Sequence, residues 1–128
     1  MKYLQDYMEN GQTALFKEQK VFFAFSNDQL SEGIKKHDLK GVKLVSLGSG
    51  MYCPKTNARS IIQALDGIYS LGIEQDIKEN GIDKIILREL YNHECFYTGD
   101  ITDCVNKLND YPITEKQIIK IYRKNYEI

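Results

Sequence analysis

The chain predicts an α+β domain: a small two- or three-stranded sheet from the N-terminal half, covered by about four helices that come mostly from the C-terminal half. Three observations predict it. Residues 21–25 (VFFAF) form an unbroken run of strand-forming side chains, too short for a helix. Residues 42–47 form a second apolar run, set off by Lys40 and Gly41 before it and by Gly48, Ser49 and Gly50 after it. Beyond that loop, Ala58, Ile61, Ile62, Leu65, Ile68, Tyr69, Ile73 and Ile77 keep a helical period for longer than anything else in the chain.

Taken in order, Leu4 and Met8 stand one turn apart ahead of the helix-stopping Asn10 and Gly11, so residues 3–9 predict a short helix. Residues 13–16 are expected to fold back on 21–25 as a hairpin, with a helix running on to Glu18 as the alternative. The run 21–25 itself reads as a buried central strand. Ser26 or Asn27 caps the next helix, with Gln29 at capping-box distance from Ser26 and with Leu30, Ile34 and His37 on one face. Residues 42–47 are then the expected neighbour of 21–25, reached by a right-handed crossover if the two are parallel. The long helix opens at Thr56 or Asn57 and stops at Asn80 and Gly81. Gly67 and Gly72 weaken it by about 1 kcal/mol each and mark a bend or a close approach. Asp83 opens a helix to about Cys95, residues 97–100 close that region, and helices over 102–109 and 114–125 flank Asp110, Tyr111 and Pro112, with Thr114 as the second one's cap.

Residues 1–128 are expected to form a single domain, long enough to bury roughly two-thirds of the unfolded surface. The 17 Lys and Arg nearly balance the 18 Asp and Glu, giving a net charge of −1, so no global field draws in nucleic acid or a membrane. The opening residues, MKYLQDYMEN, lack the apolar core of a signal peptide, and nowhere do about 18 apolar residues run together. A soluble, cytoplasmic protein is the expectation. Cys53, Cys95 and Cys104 are odd in number and form no CxxC pair, which points to reduced thiols rather than a disulfide framework.

At VFFAFSNDQLSEGIKK (residues 21–36), LVSLGSG (44–50) and NHECFYTGD (92–100) the chain resembles a family of small uncharacterised proteins of bacteria and their phages. The shared features are an aromatic FFAF-type strand, a Q-x-x-EG helix after it and a later glycine-rich turn. The resemblance implies a shared fold and allows a phage or mobile-element origin. It implies no activity and no catalytic residue.

Four constellations invite a functional reading. Gly48, Ser49 and Gly50, set between a strand and a helix with Lys55 close behind, could turn backbone amides towards an anion or nucleotide. Ser26 and Asn27 would lie at the same sheet edge if the strands are parallel. Neither GxGxxG nor GxxxxGK[ST] is present, and Pro54 removes one amide, so an ordinary tight turn is the simpler reading. Glu89 and His93 are i and i+4 in the middle of an apolar arc made by Ile82, Ile85, Ile86, Leu90 and Phe96. They could be a general base and its orienting acid, or two buried polar groups that satisfy each other. His93, Cys95 and Cys104, with Cys53, are zinc-ligand types, but His-x-Cys on a helix points its side chains about 200° apart, so no metal and no cofactor are expected. Finally, Lys116, Lys120, Arg123 and Lys124 make one side of the last helix basic, and Tyr126 could stack on a base. A solvated face is the commoner meaning of such a pattern.

Together these point to a small binding or interaction protein whose partner is a protein or a small molecule, with no membrane. The absence of a convincing catalytic pair and the 9 Tyr and 5 Phe favour it. An enzyme processing a small molecule or nucleotide is the alternative, and it requires Glu89, His93 and Asp100 to converge on a cleft beside the glycine loop. Nucleic-acid binding through the basic C-terminal helix is a second alternative.

Overall fold

The computed structural model describes residues 1–126 and has the expected α+β composition, with seven α-helices and one three-stranded antiparallel sheet among the described residues. In chain order these are α1 (Leu4–Glu18), β1 (Phe22–Phe23), α2 (Asn27–Lys36), β2 (Leu44–Gly48), β3 (Met51–Pro54), a 3-10 turn (Lys55–Asn57), α3 (Ala58–Asn80), α4 (Ile82–Asn92), α5 (Cys95–Thr98), α6 (Thr102–Lys107) and α7 (Glu115–Asn125). The chain divides into two compact units: Gln5–Gly72, and Met1–Leu4 with the chain from Ile73 onward.

The N-terminal unit is built on the sheet, whose order is β1-β3-β2. Two expectations are corrected here. Residues 13–16 belong to α1 and form no hairpin; Val21 N–H instead reaches back to Phe16 C=O at 2.9 Å, tying the strand to the end of that helix. The run 21–25 is an edge strand of two residues, not a central one, and its neighbour is β3 (Phe22 opposite Tyr52, Phe23 opposite Met51) rather than 42–47. The sequence signal of β3 is weak: MYCP is short, ends in Pro54 and follows a glycine loop of the kind that also opens a helix.

That loop is in fact the turn of a β2–β3 hairpin. Gly48 lies opposite Met51, and the two residues between them, Ser49 and Gly50, both take left-handed backbone angles (φ 52° and 78°). This is the pattern of a two-residue turn whose twist matches the flanking strands. Gly50 has a second reason to be glycine, since a Cβ there would run into the Phe25 ring.

Alternation along the strands places a layer on each side of the sheet. Phe22, Ala24, Leu44 and Tyr52 face α2, packing with Leu30, Ile34 and Leu39. Val21, Val45, Leu47, Met51 and Cys53 face the other way, against Leu15 and Phe16 of α1 and Ala58, Ile61 and Leu65 of α3. Gly33 lets α2 lie directly on the Phe22 ring, which an added Cβ would strike. The cap of α2 is as expected: Ser26 Oγ accepts from Gln29 N–H at 3.2 Å, and Gln29 Oε1 accepts from Phe25 N–H at 2.7 Å.

The C-terminal unit is helical. Helix α4 is its centre, touching α5, α6 and α7. Its core contains Ile73, Ile85, Ile86, Leu90, Cys95, Cys104, Leu108, Tyr111 and Ile118. Glu94 adopts a left-handed conformation (φ 55°) that turns the chain from α4 into α5. Thr114 caps α7 with a complete capping box to Gln117.

Candidate functional site

In the C-terminal unit the structure buries a cluster of charged side chains. Asp76 (0% exposed), Arg88 (7%) and Glu89 (1%) sit among Ile73, Ile85, Ile86 and Leu90. Charges survive such a place only when each is paired and hydrogen-bonded. Asp76 meets that condition. Arg88 Nη1 donates to its Oδ1 at 2.8 Å and Nη2 to its Oδ2 at 3.0 Å. Asn80 donates to Oδ1 at 2.8 Å and the Tyr111 hydroxyl to Oδ2 at 2.5 Å. Arg88 gives two of its remaining donors to the Lys2 carbonyl at 3.0 Å and to Glu89 Oε1 at 3.3 Å, while its guanidinium stacks over the Tyr3 ring at 5.5 Å. One arginine therefore joins the chain start, the end of α3 and α4, and Tyr111 joins the segment before α7 through the same carboxylate.

The electrostatics follow from this geometry. Burial alone would raise the Asp76 pKa, but the hydrogen bonds from Arg88, Tyr111 and Asn80, together with the guanidinium charge, outweigh it and hold the carboxyl below its ordinary value. Burial and the neighbouring Asp76 carboxylate push the Tyr111 phenol up, so it stays a protonated donor.

Glu89 and His93 do meet, as the spacing predicts, with His93 Nε2 3.8 Å from Glu89 Oε2. That is too long for a hydrogen bond, and both atoms are buried without a hydrogen-bond partner among the described residues. Glu89 is sealed by the core, whereas the His93 side chain, at the C-cap of α4, is 26% exposed. Asp100, the third residue of the enzyme reading, is exposed; its carboxylate accepts from the backbone and hydroxyl of Thr102 at the start of α6. Those bonds lower its pKa and make a local turn just ahead of α6.

The glycine loop lies in the N-terminal unit. Followed by β3 instead of a helix, it has no helix N-terminus behind it to attract an anion. Gly48 N–H is taken by Ser46 Oγ at 3.2 Å. Gly50 C=O accepts from Ala24 N–H at 2.8 Å, so the loop and the segment carrying Ser26 and Asn27 are neighbours at one sheet edge, though through β3. Ser26 is occupied in capping α2, and Lys55 N–H bonds Lys43 C=O at 2.8 Å as the 3-10 turn begins.

Cys53, Cys95 and Cys104 are free and fully buried. Burial raises all three thiols, that of Cys104 to about 12. Among the described residues no group of three or more His, Cys, Asp or Glu side chains is placed to hold a metal ion.

Asp76, Arg88 and Tyr111 are not among the residues that the sequence pattern singles out. A signal was present for Asp76, which shares an arc of the long helix with Ile73, Ile77 and Asn80 and so puts a carboxylate inside an apolar stripe. Arg88 lies at the margin of the α4 stripe, where a long side chain ordinarily reaches out to water.

Two exposed surfaces stand out. In the N-terminal unit a groove of about 270 Å³ runs between β1 and α2, lined by Phe22, Phe23, Gln29, Glu32, Lys36 and His37 among others. In the C-terminal unit four rings form a continuous ladder: Tyr91 on Phe96 (5.1 Å), Phe96 stacked on Tyr122 (5.2 Å, 8°), and Tyr122 on Tyr126 (5.4 Å). Tyr91, Phe96, Asn125 and Tyr126 border a second groove of about 170 Å³. Lys116, Lys120, Arg123 and Lys124 are exposed on α7, and Arg123 and Lys124 stand in the same turn as Tyr122 of the ladder.

A family model for a family of unknown function, DUF7659, matches residues 4–127, nearly the whole chain. The chain belongs to the DUF7659 family. No curated protein and no solved structure matches it. Membership spans both units, so the sheet, the groove beside β1 and the buried charge cluster all fall within the family's extent.

Proposed function

We propose that the chain is a small binding or interaction protein rather than an enzyme. The observation that carries this is the geometry of the pair: Glu89, 1% exposed, is held against Arg88, and its Oε2 stands 3.8 Å from His93 Nε2, too far for the hydrogen bond by which the enzyme reading has the acid orient the imidazole. The exposed aromatic side chains, Phe23, Phe25, Tyr91, Tyr97 and Tyr126, are the residue types that partner surfaces use. No described helix is long and apolar enough to cross a membrane. We place the protein inside the cell on the strength of its three free, buried thiols, and assign it a phage or mobile-element origin from its resemblance at residues 21–36.

Carbodiimide coupling of an amine to folded protein, mapped by mass spectrometry, tests the reading. Exposed carboxylates such as Asp100 are expected to label and Glu89 to stay unmodified. Labelling of Glu89 at the rate of Asp100 would return the enzyme reading.

The ring ladder beside the basic side of α7 favours a second reading, single-stranded nucleic acid held by stacking and phosphate contacts. Fluorescein-labelled oligo(dT) should then gain anisotropy at low salt and lose it steeply as salt rises. A flat titration at low salt removes this reading.

A further inference from the structure

We infer that the open edge of the N-terminal sheet, at β1, is a docking site for an extended peptide, which adds there as a further strand with a side chain lowered into the groove between β1 and α2. This rests on the binding reading above and names its site and ligand class.

The register shows which main-chain groups are on offer. Ala24 N–H bonds Gly50 C=O, so Ala24 and Gly50 are a hydrogen-bonded pair, and Phe22 with Tyr52, two residues along, is another of the same kind. Phe23 lies between them opposite Met51 in a non-hydrogen-bonded pair, so its N–H and C=O point away from β3, towards the side where the sheet has no further strand. A donor and an acceptor on one residue at a strand edge are matched by the main chain of another strand. A small molecule has no comparable reason to present both at that spacing.

The surroundings suit the same occupant. The groove beside the edge has a floor of stacked rings, Phe22 against His37 at 5.5 Å, and a polar rim from Gln29, Glu32 and Lys36 on α2. Its volume of about 270 Å³ accommodates one or two side chains, and the rim matches a polar peptide backbone or a charged neighbour. Phe23 and Phe25 are 47% and 75% exposed, so the residue that offers its backbone and the one two places along both present apolar surface. A strand of only two residues is too short for runaway edge pairing yet long enough to seat one pair of hydrogen bonds, leaving specificity to the groove.

The experiment uses the whole protein and short random peptides displayed on phage. Selected peptides are expected to carry apolar residues at alternate positions, and a synthetic copy should raise the protection of the Phe23 amide against hydrogen exchange in wild type by about tenfold. Phe23→Pro removes the outward N–H without touching a bond to β3, a position where edge strands tolerate proline. It should weaken the peptide by about tenfold or more, whereas Phe23→Val, which keeps the N–H, should stay within about threefold of wild type. Peptides that bind wild type and Phe23→Pro alike would overturn the edge site while leaving the binding reading intact. So would a wild-type dimer that Phe23→Pro dissolves, since the edge would then belong to a second copy of the chain. A library that yields no binder also overturns the inference, and the labelling of Glu89 reports independently on whether the binding reading falls with it.

Discussion

Asp76 shows how much one residue can organise. Its carboxylate accepts four hydrogen bonds, two of them from the Arg88 fork, on a side chain that is fully buried. Removing a single partner should therefore cost far more than an exposed ion pair is worth. Arg88→Met leaves a buried carboxylate without its cation, and the expected loss is about 3–5 kcal/mol in a urea melt. Tyr111→Phe removes one neutral donor and should lose about 1–2 kcal/mol. The same carboxylate sets an acid limit. Because its folded pKa lies below the ordinary 3.8, its contribution is complete above that value and disappears as the pH falls through the depressed one. Urea midpoints measured from neutral pH downwards should fall more steeply in wild type than in Asp76→Asn. The cysteines report on the same burial: their raised thiols should resist an aromatic disulfide reagent at pH 8 until urea unfolds the chain and all three react.

At the scale of elements, two glycines in helices make opposite predictions. Gly33 of α2 lies on the Phe22 ring, so Gly33→Ala should destabilise the N-terminal unit despite alanine's better helix propensity. Gly67 of α3 has nothing within 4 Å of where a Cβ would stand, so the close approach considered for it does not occur there, and Gly67→Ala should raise stability by up to about 1 kcal/mol. Thermal melts of the two variants should move in opposite directions. The later helices were the legible part of the sequence, whereas α1 runs through the stop expected at Asn10 and Gly11 and on to Glu18. The long period from Ala58 to Ile77, the Ser26 and Thr114 caps and the stop at Gly81 are local signals, written within a turn or two of where they act. The sheet was harder to read. Its order depends on β3, four residues whose role is defined only by the strands on either side, and on a Ser-Gly turn whose left-handed angles are what separate a hairpin from a strand-to-helix loop.

For the molecule as a whole, the decisive question is what the buried charges are for. The pairing of Glu89 with His93 was readable from their spacing, but the partner that explains Glu89 was not. Arg88 and Asp76 are 12 residues apart on different helices, and pattern alone could not join them. With Arg88 in place, Glu89 belongs to a charge cluster that fastens the chain start, the end of α3, α4 and Tyr111 to one another. Active-site residues commonly trade stability for activity, so removing one tends to leave a fold unharmed or firmer. A urea melt of Glu89→Ala is the most direct test. If Glu89 serves the fold, the variant should lose about 2–4 kcal/mol through the lost Arg88 contact and the cavity left beside Leu90. A midpoint equal to or above that of wild type would contradict the structural assignment and turn attention back to Glu89 as a reactive group.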